Sequence, residues 1–268
     1  MKKFIINLLI VFLLGVLLYS GYQLFGIFSE YYKGRSEYKK TSQQYVTKKK
    51  TEKKAETSKE KKKEEGQVQD QDEEEEYETA PIEVDFKGLL KENSDVAGWI
   101  YCPDTVVNYP VMHGDDNDLY LHHLASRAYN FAGCIFEDCR NTKSQKDPAT
   151  ILYGHHMKDG SMFAMLHKYT EQEYYDKHPA MYYLTPKQNY RLDIIMGYVA
   201  QENDPVYALF LNAKEMREYL HSVKENSSFK PAVDYDIDSL DKVIALSTCA
   251  YEFRNARYIV IAVPVPIH

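Results

Sequence analysis

The chain has 268 residues, with 33 basic and 40 acidic side chains and a formal net charge of −7. This acidic balance gives no reason to expect a nucleic-acid partner, because such partners favour a basic domain. The 24 tyrosines against a single tryptophan favour β structure, since tyrosine suits half-buried strands and groove walls.

The N-terminal segment is apolar and uncharged over residues 4–25. About 20 such residues span the hydrocarbon core of a bilayer as a helix. A cleaved signal peptide is the alternative, but its apolar region is usually about 7–15 residues long and ends in a small-x-small site, whereas residues 19–22 read YSGY. We therefore predict that residues 1–28 form a cytoplasmic tip and an uncleaved transmembrane anchor. Basic residues lie on both sides of the apolar run, so the positive-inside rule does not decide its orientation.

Residues 29–80 are predicted to form a charged, flexible stalk. Lysine runs at 48–50 and 61–63 make its first part basic, and a glutamate run at 73–76 makes its end acidic. From about residue 41 the segment has almost no apolar side chains, so it cannot bury a core and is expected to be a solvated spacer. Contact of the lysines with anionic lipid or wall polymer is the alternative.

Residues 81–268 are predicted to form one mostly β domain. Runs of strand-forming residues, with glycine and proline near their ends, predict strands at residues 98–102, 106–112, 133–136, 150–153, 181–184, 190–199, 243–248 and 258–265. Short helices are predicted at residues 82–95, 120–124, 161–169 and 171–177, with a longer amphipathic helix at 213–224. Many strands with short helices between them favour a mostly antiparallel barrel or sandwich over a doubly wound sheet.

The four cysteines do not form a C-x-x-C pair. Cys134 and Cys139 have C-x4-C spacing without a second pair, which argues against a structural zinc site. A disulfide between them could form if the domain lies outside the cell. Cys249 differs from these two because it ends an apolar strand, and a rigid strand end that opens to solvent suits a nucleophile. The alternative is a buried packing cysteine.

A pair of histidines also follows a predicted strand. His155 and His156 come directly after Gly154, and adjacent side chains on extended backbone point to opposite faces, so they do not readily chelate one metal ion. Zinc held by these two and by the pair at residues 122–123 is an alternative that lacks H-E-x-x-H spacing. Ordinary surface histidines are a further alternative.

Two arginines lie between Cys249 and the last apolar strand. Arginine keeps its charge and offers donors in a fixed fork, so it could stabilise an oxyanion beside a thiolate. Arg257 directly precedes the strand and Arg254 lies in the connecting loop. Solvated strand-end charges are the alternative interpretation.

Three motifs occur in an order that resembles the sortases, and class B in particular. They are YGH at 153–155, LSTC at 246–249 and Arg257 before a terminal apolar strand. The predicted helix at 213–224 also fits this class, and the resemblance extends from about residue 86 to the C-terminus. It implies a closed sortase-type β-barrel with N-terminal helices and a helix between late strands. A transmembrane helix and a charged linker would precede this barrel.

The resemblance implies a Gram-positive surface enzyme with His155, Cys249 and Arg257 as catalytic residues. The Cys249 thiolate would attack the carbonyl after a Thr in the C-terminal sorting signal of a surface protein, and an amine of a peptidoglycan precursor would resolve the resulting thioester. His155 would move the protons, and Arg257 would hold the oxyanion, with Arg254 as the second choice. The implied substrate-binding residues are Asn117, Tyr153 and Ser247.

The family also implies a single-pass cell-membrane protein whose catalytic domain is extracytoplasmic and is attached through the N-terminal helix. No metal ion or other cofactor is expected. Other functions remain open: a hydrolytic thiol protease that uses the same Cys–His pair, a pilin-polymerising sortase, and a non-catalytic anchored binding module.

Overall fold

One long N-terminal helix precedes a series of strands and short helices in the computed structural model, which describes residues 2–49, 79–142 and 146–268. The helices are α1 (Lys2–Tyr45), α2 (Phe86–Glu92), α3 (Gln172–Lys177) and α4 (Ala213–Val223). The strands are β1 (Val46–Lys48), β2 (Ile82–Val84), β3 (Val96–Tyr101), β4 (Asn108–Met112), β5 (Ile135–Glu137), β6 (Ala149–Tyr153), β7 (Ala180–Leu184), β8 (Asn189–Ala200), β9 (Val243–Cys249) and β10 (Arg257–Ile267). Short 3-10 helices lie at Leu119–Leu121, Ala164–Thr170, Pro205–Ala208, Lys224–Asn226 and Ile237–Ser239.

Strands β3 to β10 close into a barrel in the order β10-β8-β7-β3-β4-β5-β6-β9. Neighbouring strands are antiparallel except for the pairs β4–β5 and β6–β9, which are parallel. The predicted mostly β barrel with a helix between late strands is therefore confirmed, and all eight predicted strands are present. The parallel pair β6–β9 matters most for function, because the chain leaves both strands at the same edge of the barrel.

The last two strands are buried on both faces. Alternate residues of β9 and β10 point to opposite sides, so Leu246 faces the larger apolar cluster, while Ala245 and Ile259 pack in a second cluster with Met216 and Leu220 of α4. Burial on both faces explains why these strands read as continuous apolar runs in the sequence. It also makes the end of β9 a rigid position.

Helix α1 differs from the predicted anchor and stalk, because it continues to Tyr45 and packs on the barrel. The Tyr38 side chain is buried, and its hydroxyl donates to the Gly133 carbonyl. Arg35 forms an ion pair with Asp159 at 2.7 Å. Strand β1 then pairs with β2. Residues 29–49 are therefore not a flexible stalk, since Tyr38 is buried and Tyr31 and Tyr45 are partly buried against the domain. The rest of the predicted stalk, residues 50–78, lies outside the described residues.

The N-terminal part of α1 is long and apolar enough to cross a membrane. Residues 4–25 carry no charged side chain, and no side chain of the most apolar window of the helix is buried against the domain. By length and composition this part of α1 matches the predicted span.

The segment predicted as a helix over residues 82–95 contains β2 as well as α2. Asp85 begins the helix, and its carboxylate accepts a hydrogen bond from the Gly88 amide at 2.9 Å, which is an N-cap contact. Residues 82–84 form a strand because they pair with β1. Since β1 lies far away in the sequence, local spacing does not reveal this partner.

Candidate active site

The ends of three adjacent strands bring Cys249, His155 and Arg257 together. In the parallel pair β6–β9, Tyr153 lies opposite Ser247, so the residues that follow both strands emerge at the same edge. In the antiparallel pair β9–β10, Arg257 lies directly opposite Cys249. The predicted meeting of a thiol, an imidazole and a guanidinium therefore has a simple origin in strand register.

Three hydrogen bonds tie the end of β6 and the residues that follow it to the end of β9. The Gly154 amide donates to the Ser247 carbonyl at 3.1 Å. The Thr248 hydroxyl donates to the Gly154 carbonyl at 2.8 Å, and both groups are buried. The His156 Nδ1 donates to the Cys249 carbonyl at 2.8 Å. The backbone on either side of the reacting groups is thus held by contacts between β6 and β9.

A cleft of about 290 Å³ opens at this edge of the barrel. Its lining contains all six predicted site residues and four others: Asn117, Leu121, Phe136, Tyr153, Gly154, His155, Ser247, Thr248, Cys249 and Arg257. The Asn117 side-chain oxygen accepts a hydrogen bond from the Cys139 amide at 2.8 Å, which fixes that side chain at the wall. Arg254 is exposed on the connecting loop and is not part of the lining.

The cysteines fall into two groups by environment. Cys102 and Cys134 are fully buried, and burial raises the pKa of Cys102 to about 11 and that of Cys134 to about 12. Such thiols remain protonated and act as packing groups. Cys249 is half-buried at the cleft. The thiols of Cys134 and Cys139 are free, so the disulfide considered between them is absent.

His155 is held in one orientation. Its Nε2 donates to the Leu121 carbonyl at 2.8 Å, so Nδ1 is the ring nitrogen that can accept a proton. Burial lowers the pKa of His155 below its usual value of 6.5, the bond to the Leu121 carbonyl opposes this shift, and the His122 ring, 6.1 Å away between centroids, adds to it. The neutral imidazole is therefore the main form at neutral pH.

Arg257 is anchored by its own loop. Its Nη1 donates to the carbonyls of Asn255 and Ala256, both at 3.1 Å, and the Ala256 carbonyl also accepts the Ala250 amide at 2.9 Å. These contacts hold a permanent positive charge beside the strand end that carries Cys249. A fixed guanidinium can stabilise a negative oxygen that develops next to the sulfur.

Tyr207 contacts two residues of the cleft lining, and the sequence did not reveal it. Its hydroxyl is 2.7 Å from the Ser247 hydroxyl, and its ring stacks with that of Tyr153 at 6.1 Å between centroids. Burial raises the pKa of Tyr207 to about 12, so it is a neutral hydrogen-bonding group. It lies in a short 3-10 helix 40 residues before Ser247, and no local motif marks it.

The histidines considered as zinc ligands do not assemble into a metal site. Across the described ranges, no group of three or more His, Cys, Asp or Glu side chains lies close enough to hold a metal ion. One ring nitrogen of His123, of His155 and of His156 instead lies within hydrogen-bond distance of a backbone carbonyl.

Comparisons with known proteins agree with this geometry. The family model described as the Sortase domain matches residues 100–265. The Sortase B of Listeria monocytogenes is 36% identical over 181 residues, which are 66% of this chain and 72% of that protein. A Staphylococcus aureus sortase B–substrate complex matches with a TM-score of 0.63 and 32% identity, covering 68% of this chain and 85% of that one.

The sortase B of Bacillus anthracis in complex with AAEK1 matches with a TM-score of 0.69 and 29% identity, over 90% of this chain and 100% of that one. The barrel, the cleft at its edge and these similarities lead to one conclusion. This chain belongs to the sortase family, in its class B, and is a cysteine transpeptidase.

Proposed function

We propose that this enzyme cleaves a C-terminal sorting signal after Thr, forms a thioester on Cys249 and transfers the acyl group to an amine of a peptidoglycan precursor. The observation that carries the proposal is the convergence of Cys249, His155 and Arg257 at one cleft. The S. aureus sortase B of similar fold has been determined with a substrate, and a sortase B has also been determined with triglycine, which carries a free amine.

Acylation begins with transfer of a proton from the Cys249 thiol to Nδ1 of His155, because the thiolate is the reactive nucleophile. The sulfur adds to the carbonyl carbon after the Thr, and the carbonyl oxygen becomes negative beside the Arg257 guanidinium. The C–N bond then breaks as the His155 imidazolium gives its proton to the departing amine. A thioester and a released C-terminal fragment result.

Deacylation uses the same groups in reverse. The amine of the acceptor adds to the thioester carbonyl, while the neutral imidazole of His155 takes a proton from the attacking nitrogen. The Cys249 thiolate departs and a new amide bond forms. Water attacking at this stage would give a free carboxylate, so the choice of nucleophile separates a transpeptidase from a hydrolytic protease.

The groove that binds the sorting signal is assigned to Asn117, Tyr153 and Ser247, which line the cleft together with the triad. The Ser247 hydroxyl and the Tyr153 ring, which Tyr207 contacts from outside the lining, offer a wall with hydrogen-bonding and apolar parts. Such a wall suits an extended peptide, whose backbone and small side chains need both kinds of contact.

Residues 1–28 are proposed to be the cytoplasmic tip and single-pass anchor, and residues 81–268 the extracytoplasmic catalytic domain. The exposed apolar part of α1 supports the anchor, and the family's cell-surface chemistry supports the orientation. The partners are then surface proteins with sorting signals and a cell-wall amine acceptor. Wall attachment is favoured over pilus polymerisation because the related complex contains a short glycine peptide.

The test uses the full chain in detergent micelles with a panel of sorting peptides that vary around the Thr. Mass spectrometry after addition of triglycine should detect a ligated product that ends in Thr-Gly-Gly-Gly, and Cys249→Ala should abolish it. A free Thr carboxylate as the sole product in excess triglycine would instead identify a hydrolase. Ligation only to a lysine-containing pilin peptide would identify a polymerising enzyme.

A further inference from the structure

The N-terminal part of α1 reaches the domain beside the catalytic loops. Ile27, Phe28 and Tyr32 line one cleft with Lys158 and Asp159, which follow His155 closely in the chain. Arg35 secures this contact through its ion pair with Asp159 at 2.7 Å. The helix therefore meets the domain at the loop that carries the catalytic histidine.

The loop between Cys249 and Arg257 lies at the same place. The rings of His156 and Tyr251 are 5.1 Å apart between their centroids, so this loop contacts the loop that carries the two histidines. The Tyr251 hydroxyl also lies 3.4 Å from the His156 carbonyl. The loop between Cys249 and Arg257 thus packs against the same histidine loop that meets α1.

The other end of α1 lies at the opposite end of the barrel. After Tyr45 the chain enters β1, which pairs with β2, and the Ala80 amide just before β2 donates to the carbonyl of His268, beyond the end of β10. Strand β10 begins at the active site with Arg257 and runs for 11 residues to Ile267. Helix α1 therefore crosses the domain from the catalytic end to the far end, and its apolar part departs at the catalytic end.

We propose that the catalytic end of the barrel rests on the surface of the membrane that α1 crosses. The contact is made by a membrane-facing surface, defined by Phe28, Tyr32, Lys158, Tyr251 and Phe253. This inference rests on the proposed function, because it requires α1 to be a membrane anchor, and it adds where the active site lies relative to the lipid.

The composition of the membrane-facing surface suits the headgroup region of a bilayer. Phe28, Tyr32, Tyr251 and Phe253 are 68%, 75%, 69% and 46% exposed, respectively. Aromatic side chains are enriched at membrane–water interfaces, where an apolar ring and a polar tip are both accommodated. The exposed Lys158 adds a positive charge that anionic headgroups attract.

The carboxylates of the two catalytic loops do not oppose this contact. Asp159 is paired with Arg35 at 2.7 Å, and Glu252 lies 2.6 Å from the ring nitrogen of His167. Both negative groups therefore have a partner within the protein, while the exposed Arg254 on the same loop adds to the positive charge. Repulsion from an anionic lipid surface is reduced accordingly.

This arrangement selects substrates by location. The cleft that holds Cys249 and Arg257 opens beside the loop that carries Tyr251 and Phe253. Any peptide or amine partner that is held at the same membrane would present its reacting group close to this cleft. The enzyme would therefore act on membrane-bound partners at a high effective concentration.

The test measures contact with lipid by tryptophan fluorescence in the full chain reconstituted in vesicles. The single native Trp99 is fully buried and contributes a constant background. Phe253→Trp places a second tryptophan on the membrane-facing surface. Val233→Trp is the matched control, because Val233 is 54% exposed and lies on another face, against β8 and the segment after α4. Leu13→Trp reports on insertion of α1.

Phospholipids with brominated chains near the headgroup should quench the added tryptophan of Phe253→Trp strongly and that of Val233→Trp weakly or not at all. Strong quenching of Leu13→Trp without quenching of Phe253→Trp would overturn the inference and leave the anchor intact. Equal quenching at residues 253 and 233 would also overturn it, since no single face would be preferred.

A blue shift at residue 253 without quenching would identify a protein partner, such as a second copy, in place of lipid. Absence of quenching at residue 13 would instead reject the anchor itself.

Discussion

Replacing Thr248 by Val should loosen the link between the ends of β6 and β9. The Thr248 hydroxyl donates to the Gly154 carbonyl at 2.8 Å in a buried environment. Thr248 directly precedes Cys249, and Gly154 directly precedes His155. Loss of a buried hydrogen bond that leaves the acceptor without this donor costs about 1–3 kcal/mol in the free energy of unfolding. Since the size of the side chain hardly changes, the cost arises from the hydrogen bond and not from a cavity.

The same substitution should lower kcat more than it raises KM. A shift of catalytic groups by about 1 Å can reduce a rate by about 100-fold, because the reacting atoms must be closely aligned. Urea unfolding followed by the fluorescence of the buried Trp99 measures the stability, and ligation of a sorting peptide to triglycine measures kcat and KM.

Two control variants separate the hydrogen bond from general effects of the substitution. Thr248→Ser keeps the hydroxyl and should retain most of the activity. Thr150→Val makes the same chemical change at a buried position of β6, four residues before Gly154 and opposite Ile244, and should leave kcat nearly unchanged. A Thr248→Val variant as stable and as active as the parent enzyme would refute the proposed link.

Three further predictions concern the charged and polar groups around the cleft. Arg257→Ala should lower kcat by about 10²–10³-fold, as expected for loss of an oxyanion donor, whereas Arg254→Ala should leave ligation kinetics close to those of the parent; equal effects would contradict the assignment. NMR titration of the His155 ring should give a pKa below 6.5. His122→Gln should raise this pKa, because it removes a neighbouring ring whose positive charge disfavours the His155 imidazolium; an unchanged or lower value would contradict this cause. Tyr207→Phe should lower the free energy of unfolding by about 1 kcal/mol through loss of its bond to the groove serine, and urea unfolding measures the difference.

The strands and the amphipathic helix were predictable because their patterns are local. Residues 213–224 carry apolar side chains on one face, and the structure contains a helix at Ala213–Val223. Strand β9 reads as an apolar run that ends at Cys249, since both of its faces are buried. The order of the His, Cys and Arg motifs then indicated the family, and strand register explains why these distant residues meet.

The docking of α1 was missed, although a signal was present. Tyr31, Tyr38 and Tyr45 recur every seven residues in an otherwise charged segment, which places them on one face of a helix. Overall polarity suggested a solvated spacer, whereas packing of this tyrosine face on the domain, with Tyr38 buried, decides the structure. The pairing of β1 with β2 and the contact of Tyr207 with Ser247 were not predictable, because each joins segments that are far apart in the chain and carries no local pattern.

Cys249 should carry the acyl group during the reaction. The full chain incubated with a sorting peptide in the absence of an amine, quenched in acid and digested, should yield one modified peptide. Its mass should equal that of the Cys249 peptide plus the acyl fragment that ends in Thr, and hydroxylamine should remove the addition. An acyl group located on another residue, or ligation that continues in Cys249→Ala, would rule out Cys249 as the nucleophile.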